Sequence, residues 1–369
     1  MTSRPGTPAA HASSVWRRYI ELPRYLRAVH GRGELVRLLG EVIAALGFER
    51  VAVVSGATHT AALGTELAAA LHPLSSGPER VAANTRAETA HVAAAARDAD
   101  AVLAVGGGKT IDVAKSACAA ADMPLIVVPT QLTADGIASP VSVIKEDDGT
   151  LHSGHGRLPI AVAVDLEVIA AAPPERARAG LGDLLANRTA LVDWRLAAAA
   201  GHEEVDDFAA LLAEAAGELV YGFPPDGPVA ERPSPDFLER LLRGLVLSGL
   251  AMEVAGSSRP CSGAEHLISH ALDARRPGTA QHGEQVAFGT LVAMHLQGGD
   301  WRSLRGFMLA AGMSAAAAGF GLGEDDLVAL VRAAPAMRPD RYTVLSETAS
   351  AAAVETAVRD VLSTLRGQE

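Results

Sequence analysis

The first half of the chain alternates short apolar runs, of the kind that form buried strands, with alanine-rich stretches of helical length. The strand-like runs are RVAVVSG (50–56), AVLAVGGG (101–108), PLIVVPT (124–130) and IAVAVD (160–165). The helical stretches include TAALGTELAAALH (60–72) and RAETAHVAAAARD (86–98). Runs rich in valine and isoleucine are typical of strands that are buried on both faces. Their alternation with helices predicts a parallel sheet that is covered by helices on both faces.

The strand signal nearly disappears after AAPPERARAG (171–180), and apolar residues then recur at helical spacing. A chain of 369 residues is too long for one compact core, so two domains are the default expectation. We therefore predict an α/β domain over residues 1–172 and an all-helical domain over residues 173–369, with residues 1–15 as a flexible tail. A ligand site is expected where the carboxyl ends of the strands face the helical domain.

The composition argues against several classes of protein. A net charge of -11 is unfavourable for a nucleic-acid surface, which needs clustered lysine and arginine. No apolar run approaches the roughly 20 residues of a membrane span, and the first residues, MTSRPGTPAAHASS, lack the apolar core of a secretory signal. Cys118 and Cys261 have no CxxC spacing, which fits a reducing compartment. We expect a cytoplasmic protein that binds neither nucleic acid nor membranes.

A glycine-rich turn follows the strand-like run AVLAV and opens the predicted helix TIDVAKSACAA. Its residues are Gly106, Gly107, Gly108, Lys109 and Thr110. A P-loop is excluded because residue 103 is leucine, and the GxGxxG fingerprint is excluded because residue 111 is isoleucine. Glycine lets the backbone approach a pyrophosphate, and a helix N-terminus offers unpaired N–H groups to the anion. On these residues alone, the turn is either such an anion site or a turn that packs a helix on its strand.

The strand-like run PLIVVPT leads into the loop QLTADGIASP, which carries four polar side chains. These are Thr130, Thr133, Asp135 and Ser139. They follow the carboxyl end of a buried strand, which is the edge where parallel sheets bind ligands. A solvated loop with residues that favour turns is an equally good interpretation of the same pattern.

The helical half contains three clusters with metal-ligating side chains. Asp183 is expected at the start of an amphipathic helix, and His282 at the head of another. His266 and His270 are four residues apart, so both face one side of a helix. One carboxylate and two imidazoles from three helices form a sensible catalytic metal site. The alternative is a helix-capping aspartate and histidines that only stabilise the fold.

Taken together, these stretches resemble sn-glycerol-1-phosphate dehydrogenase, a branch of the iron-containing alcohol dehydrogenase and glycerol dehydrogenase superfamily. The matching strings are GGGKTIDVAK, VPTQLTADGIASP, AGLGDLLANRTALVDW, GSSRPCSGAEHLISHALD and HGEQVAFGTL. They occur in order from about residue 101 to 295. The resemblance implies a Rossmann-like, dinucleotide-binding α/β domain followed by an all-α domain that binds the metal and the substrate.

The resemblance also implies roles for individual residues. It places NAD(P) contacts at Gly106, Gly107, Gly108, Lys109, Thr110, Ile111, Thr130, Thr133 and Ser139. It places substrate contacts or catalytic groups at Asp135, Asp183 and His270, and metal ligands at Asp183, His266 and His282. The family usually has serine at the position of Thr133, and the hydroxyl is retained here.

The implied reaction is the reversible NAD(P)H-dependent reduction of dihydroxyacetone phosphate to sn-glycerol 1-phosphate. The implied metal is divalent: zinc, nickel or iron. Relatives are commonly dimers or larger, so a homo-oligomer is expected. The strand 50–56 ends without a carboxylate that would bind the ribose hydroxyls of NAD, so NADP(H) remains open as well.

Three alternatives stay open at this point. A substrate such as glycerol or another polyol phosphate would fit the same residues, and Arg259 is either a phosphate partner or part of a salt bridge near a helix start. A sugar phosphate cyclase shares the two-domain plan, NAD and a metal, but its DSSVGGK-like loop is absent here. A binding module without catalytic activity would lack some of the site elements, all of which are predicted to be present.

Overall fold

The structure, a computed structural model, describes residues 22–222, 232–278, 280–313, 320, 322–347 and 350–366. Parallel strands form a sheet in the first part of the chain. They are β1 (Tyr25–Val29), β2 (Val51–Gly56), β3 (Ser75–Val81), β4 (Ala101–Gly106), β5 (Leu125–Pro129) and β8 (Ala161–Asp165). A separate antiparallel hairpin consists of β6 (Val141–Lys145) and β7 (Leu151–His155).

Helices alternate with the strands in the first part and follow one another in the second. The first group is α1 (Arg32–Ala45), α2 (Ala61–Ala70), α3 (Arg86–Ala95) and α4 (Gly108–Ala121), and a 3-10 helix, Asp135–Ala138, follows β5. The second group is α5 (Leu166–Ala171), α6 (Pro174–Leu185), α7 (Asn187–Ala199), α8 (Asp207–Tyr221), α9 (Pro235–Ala255), α10 (Ala264–Arg275), α11 (His282–Leu296), α12 (Trp301–Ala310), α13 (Glu324–Ala333), the 3-10 helix Ala334–Met337, α14 (Val344–Glu347) and α15 (Ala351–Arg366). The predicted change from an α/β part to an all-helical part is confirmed.

The strand order β1-β8-β5-β4-β2-β3 places a topological switch point between β2 and β4. The chain leaves β2 for β3 on one side and leaves β4 for β5 on the other. In open α/β sheets, ligands bind at the carboxyl ends of the strands where the order reverses. The predicted glycine turn begins at the last residue of β4 and therefore lies at this point.

Close backbone packing brings α6 against α11. A Cβ atom on Gly182 would lie 2.2 Å from the carbonyl oxygen of Gly283, and one on Gly283 would lie 1.8 Å from that of Ala179. Both distances are far shorter than van der Waals contact, so only glycine permits this approach. Each glycine is next to a candidate metal ligand, Asp183 on α6 and His282 on α11, so this packing brings the two side chains together.

The expectation that Asp183 lies at the start of a helix is wrong. Helix α6 begins at Pro174, and Asp183 is buried near the C-terminal end of this helix. Proline has no N–H group to leave unpaired, and its fixed φ suits the first position of a helix. The proline-rich stretch therefore starts α6, and Asp183 cannot cap the N-terminus of this helix.

The sequence pattern missed β3 and the β6–β7 hairpin, and it left β1 unplaced. β3 contains Gly77 and Pro78, which are unfavourable in a central strand, and it is tolerated because it lies at the edge of the sheet. The predicted tail, residues 1–15, lies outside the described residues. The domain limits at 172 and 173 stay a prediction, because one core of buried side chains runs from the sheet into the helices. In the described part of the chain, no helix is long and apolar enough to cross a membrane.

Candidate active site

Three side chains from three helices meet at one point. Asp183 Oδ1 lies 3.5 Å from Nε2 of His266 and 3.6 Å from Nε2 of His282. One ligand atom from each of the three residues lies within 4.8 Å of the other two. Asp183 is buried, whereas the side chain of His282 is 40% exposed. One carboxylate and two imidazoles with open positions beside them fit a divalent transition metal.

Glu265 fixes the orientation of His266. One carboxylate oxygen of Glu265 lies 3.0 Å from Nδ1 of His266 and also accepts from the backbone N–H of Gly263, and the other accepts from the Thr189 hydroxyl at 2.9 Å. Because a carboxylate only accepts, Nδ1 of His266 carries the proton. In the neutral ring the lone pair is then on Nε2, the atom that faces Asp183, and a bound metal would take the place of the second proton there.

A second chain of hydrogen bonds orients His282. The Ser269 hydroxyl donates to Oε1 of Gln285 at 2.8 Å, and Nε2 of Gln285 donates to Asp273 at 2.9 Å. Ser269 Oγ lies 3.1 Å from Nδ1 of His282 and has already used its proton, so Nδ1 is the donor. Nε2 of His282 is therefore also free to bind a metal. Both histidines are held in the tautomer that a metal site requires.

The charges around this group attract a cation. Burial acts to raise the pKa of Asp183, but contacts with His266 and His282 outweigh it and hold the pKa below its ordinary value. Burial acts to lower the pKa of His266, but Asp183 and Glu265 outweigh it and raise the pKa to about 9. The pKa of His282 is lowered, chiefly by burial. A divalent cation supplies the positive charge that the two carboxylates favour at this point.

Asp135 contacts the metal-ligand group from the sheet side. Its backbone N–H donates to Oδ2 of Asp183 at 2.9 Å, and its carboxylate accepts from the Ser248 hydroxyl at 2.8 Å. Nδ2 of Asn187 donates to Ser248 Oγ at 3.1 Å and holds that hydroxyl in place. Burial, followed by the charge of Asp183, raises the pKa of Asp135 to about 7. Asp135 is a carboxyl group that can hold or release a proton near neutral pH.

His270 lies one turn after His266 on α10, and their ring centroids are 6.4 Å apart. Burial is the largest cause that lowers the pKa of His270, to about 3, and the charges of His266, His282 and two arginines add to it. The imidazole is therefore neutral, so one ring nitrogen donates a hydrogen bond and the other accepts one. It does not belong to the three-residue metal group, and its role toward the substrate stays a prediction.

The glycine turn has the geometry of an anion site. Gly107 is the N-cap residue of α4, and no side chain caps this end of the helix by a hydrogen bond. The N–H groups of the first turn are therefore available to a ligand. A Cβ atom on Gly107 would lie 2.2 Å from Nε2 of Gln131, so a side chain there would have to displace the end of the Gln131 side chain. Lys109 is exposed, whereas Thr110 and Ile111 are buried.

One loop connects this turn to the metal group. The backbone N–H of Thr130 donates to the carbonyl oxygen of Gly106 at 3.0 Å, and five residues later Asp135 contacts Asp183. Thr133 lies half-buried between these two contacts. Ser139 is placed differently: it is buried, and its hydroxyl accepts a hydrogen bond from the Lys115 ammonium at 3.3 Å.

Comparison with known proteins decides the family. The family model for iron-containing alcohol dehydrogenase matches residues 30–173. A glycerol-1-phosphate dehydrogenase (NAD(P)+) from Methanothrix thermoacetophila is 38% identical over 349 residues, which are 92% of this chain and 96% of that protein. One from Hyperthermus butylicus is 42% identical over 246 residues, covering 67% and 69%. The chain belongs to the glycerol-1-phosphate dehydrogenase family. It is an oxidoreductase, which excludes the lyase alternative.

Solved structures of more distant proteins share the fold of this glycerol-1-phosphate dehydrogenase family member. A probable glycerol dehydrogenase from Sinorhizobium meliloti 1021 matches with a TM-score of 0.72 at 23% identity, covering 94% of this chain and 100% of that one. Glycerol dehydrogenase from Schizosaccharomyces pombe matches with a TM-score of 0.74 at 20% identity, covering 95% and 93%. At these identities the likeness establishes the architecture alone.

Several residues of the site carry no signal that the sequence pattern could use. Ser269 and Gln285 orient His282, and Ser248 and Asn187 hold Asp135. Only Ser269 is recognisable in retrospect, because it follows His266 by three positions and so lies on the same face of α10. The others come from helices that are distant in sequence, and only the packing of the helices brings them to the site.

Proposed function

We propose that this chain is a metal-dependent NAD(P)H oxidoreductase that interconverts dihydroxyacetone phosphate and sn-glycerol 1-phosphate. The observation that carries the proposal is the convergence of Asp183, His266 and His282, with both Nε2 atoms facing the carboxylate. Relatives named glycerol-1-phosphate dehydrogenase, at 34–42% identity, support the substrate.

Asp183, His266 and His282 would hold one divalent ion: zinc, nickel or iron. When bound, such an ion supplies a Lewis acid for a substrate oxygen. Glu265 and Ser269 would keep both imidazoles in the orientation for binding, because each accepts the Nδ1 proton of a ligand.

Asp135 and His270 would handle the substrate. A carboxyl group with a pKa of about 7 can exchange a proton with a substrate hydroxyl at neutral pH, and Ser248 holds that carboxyl in place. The neutral imidazole of His270 would orient another hydroxyl, since it offers one donor and one acceptor. Asp183 accepts from the backbone N–H of Asp135 and would contact the substrate as well as the metal.

The dinucleotide would bind at the carboxyl edge of β4 and β5. Its pyrophosphate would accept from backbone N–H groups of the turn formed by Gly106, Gly107 and Gly108 and of the following residues Lys109 and Thr110. The N–H of Ile111 donates to the carbonyl oxygen of Gly107 at 3.1 Å, so Ile111 would contact the cofactor in another way. Thr130, Thr133 and Ser139 belong to the adjacent loop. The hydroxyl of Ser139 accepts from the Lys115 ammonium, and both groups are buried. A buried ammonium needs its partners, so Ser139 would have to contact the cofactor without giving up Lys115.

The test is an absorbance assay at the nicotinamide band, with the protein reconstituted in turn with zinc, nickel and iron. We expect stoichiometric oxidation of NADH or NADPH by dihydroxyacetone phosphate. In the reverse direction we expect oxidation of sn-glycerol 1-phosphate and not of its enantiomer, sn-glycerol 3-phosphate. Removal of the metal by a chelator should abolish both reactions, and its return should restore them.

Different failures have different meanings. A large preference for unphosphorylated glycerol in kcat/KM would favour a glycerol dehydrogenase. Equal use of both glycerol phosphate enantiomers would contradict the stereochemical part of the proposal. Full activity of the metal-free protein would contradict the role given to Asp183, His266 and His282.

A further inference from the structure

Arg338 and Arg341 lie near His270 in a part of the chain to which the sequence pattern gave no function, and Arg259, for which the sequence left a phosphate partner or a salt bridge open, lies near Arg341. The 3-10 helix Ala334–Met337 packs against α10, and Arg338 and Arg341 follow it. Arg259 lies in the segment between α9 and α10. Burial and the charges of His266 and His282 are the larger causes that lower the pKa of His270, and the charges of Arg338 and Arg341 add to them. Both guanidinium groups therefore lie near the face of α10 that carries His270.

Arg341 is held in a defined position. Its guanidinium donates to the carbonyl oxygen of Ser262 at 2.5 Å and to the hydroxyl of Ser258 at 3.0 Å. Burial, followed by repulsion from Arg338 and Arg259, lowers the pKa of Arg341 to about 10. Ser258, which accepts from Arg341, directly precedes Arg259, and the backbone N–H of Arg341 donates to the carbonyl oxygen of Arg338 at 3.0 Å, so Arg341 has one of the other two arginines on each side. Such a cluster is unfavourable unless an anion compensates it.

The negative charges around the cluster are few. Arg259 pairs with Glu203 at 2.5 Å, and Glu265 is already committed to His266. Arg338 is half-buried, and its guanidinium makes no hydrogen bond or ion pair with any described residue. The charges of Glu265 and Glu203 both act on Arg341, so three guanidinium groups face two carboxylates and the balance at this point is positive.

Arg259 has donors that lack a partner. It is 4% exposed, and Nη2 donates to the carbonyl oxygen of Tyr342 at 2.8 Å. Its Nε and Nη1 atoms are buried and have no hydrogen-bond partner among the described residues. A buried donor without a partner is costly, and charged donors more so. Guanidinium forks match the oxygens of a phosphate group.

We propose that Arg338, Arg341 and Arg259 form the subsite for the phosphate group of the substrate, an inference that rests on the proposed function. The metal ligand His266 and His270 lie one helical turn apart on α10. A substrate whose carbonyl is at the metal group and whose phosphate lies beyond His270 would span this distance with a three-carbon chain. The subsite would make the enzyme selective for phosphorylated polyols, because a neutral hydroxyl leaves the guanidinium charges uncompensated.

The test compares the parent protein with Arg338→Gln, which removes no side-chain hydrogen bond or ion pair among the described residues. Steady-state reduction of dihydroxyacetone phosphate and of dihydroxyacetone is measured on metal-reconstituted protein. We expect kcat/KM for the phosphorylated substrate to fall about tenfold or more, as for the loss of a charged hydrogen bond, and that for dihydroxyacetone to stay within about twofold. Phosphite dianion should accelerate dihydroxyacetone reduction by the parent and not by the variant. Arg37→Gln, which removes a 66% exposed surface arginine on α1, should change neither rate.

Direct binding separates a failure of the subsite from a failure of the proposed function. Calorimetry with inorganic phosphate should show binding to the parent that is about tenfold tighter than to Arg338→Gln. If the parent reduces neither triose but shows this difference, the proposed function fails and the anion subsite stands. Equal binding of phosphate by the parent and by Arg338→Gln would overturn the subsite. So would a ratio of kcat/KM for dihydroxyacetone phosphate to kcat/KM for dihydroxyacetone that differs by less than about fivefold between the two proteins. A loss confined to the KM for NADPH would also overturn it, because the arginines would then bind the cofactor.

Discussion

The turn at the end of β4 and the metal group use different atoms to bind their ligands. At the turn, the hydrogen-bond donors are backbone N–H groups, and Gly107 contributes chiefly by having no side chain. At the metal group all three donors are side-chain atoms, and further side chains orient two of them. The loop that starts at Thr130 contacts the turn at one end and, through Asp135, the metal group at the other.

The comparison predicts different responses to mutation. A site built from backbone N–H groups should keep its ligand affinity when neighbouring side chains change, and should lose affinity when a side chain is added at one of its glycines. A side-chain site loses its ligand when one donor is removed, and it weakens when an orienting residue is removed. Substitutions at the two places should therefore separate metal content from dinucleotide affinity.

The largest effect is expected from His266→Ala. The substitution removes one of three ligands and takes the imidazole away from the buried Glu265, which keeps only Gly263 and Thr189 as partners. We expect loss of the bound metal and a fall in kcat/KM of at least about a thousandfold, since metal catalysis contributes several kcal/mol. Metal analysis by mass spectrometry and the NADH assay would measure both. Affinity for NADH should be unchanged.

His91→Ala is the matched control for that substitution. The side chain of His91 is 56% exposed on α3, where it pairs with Glu79. The variant should keep its metal and its rate. Full metal content together with full turnover in His266→Ala would refute the assignment of the metal site.

A smaller effect is expected from Ser269→Ala. The hydroxyl accepts the Nδ1 proton of His282, so its loss frees the ring to rotate and leaves the Gln285 oxygen without a donor. Metal affinity should fall by about 10- to 100-fold, while kcat at saturating metal stays close to that of the parent. Metal titration followed by activity measures this. Ser303→Ala, at an exposed serine of α12, is the control. An unchanged metal affinity would show that packing alone orients His282.

The regular elements were predictable where one physical signal dominates. The doubly buried strands β2, β4, β5 and β8 have continuous apolar runs, and these runs define them. β3 was not predictable because an edge strand tolerates Gly77 and Pro78. The start of α6 was misplaced because a proline pair was interpreted as a boundary, although proline also starts helices.

The metal ligands were predictable from the sequence, whereas the residues around them were not. The ligands stand out because histidine and aspartate occur at helical spacing within family strings. Their orienting partners do not, since serine, glutamine and asparagine are common and only tertiary packing assigns them a role. Arg338 and Arg341 were not predicted either, because local sequence does not show that the 3-10 helix before them packs against α10.

The smallest effect, and the sharpest test of the comparison, is expected from Gly107→Ala. The new methyl group would lie 2.2 Å from Nε2 of Gln131 and at the place where a pyrophosphate approaches the turn. We expect the KM for NADH to rise about tenfold with metal content unchanged. Gly108→Ala is the neighbouring control for folding, because no atom lies within 4 Å of a Cβ there.

Adding Gln131→Ala to Gly107→Ala relieves the contact within the chain but not the obstruction of the dinucleotide. If the double variant recovers the parent's KM, the turn serves to pack the helix rather than to bind an anion, because its glycines would then matter only to the chain itself.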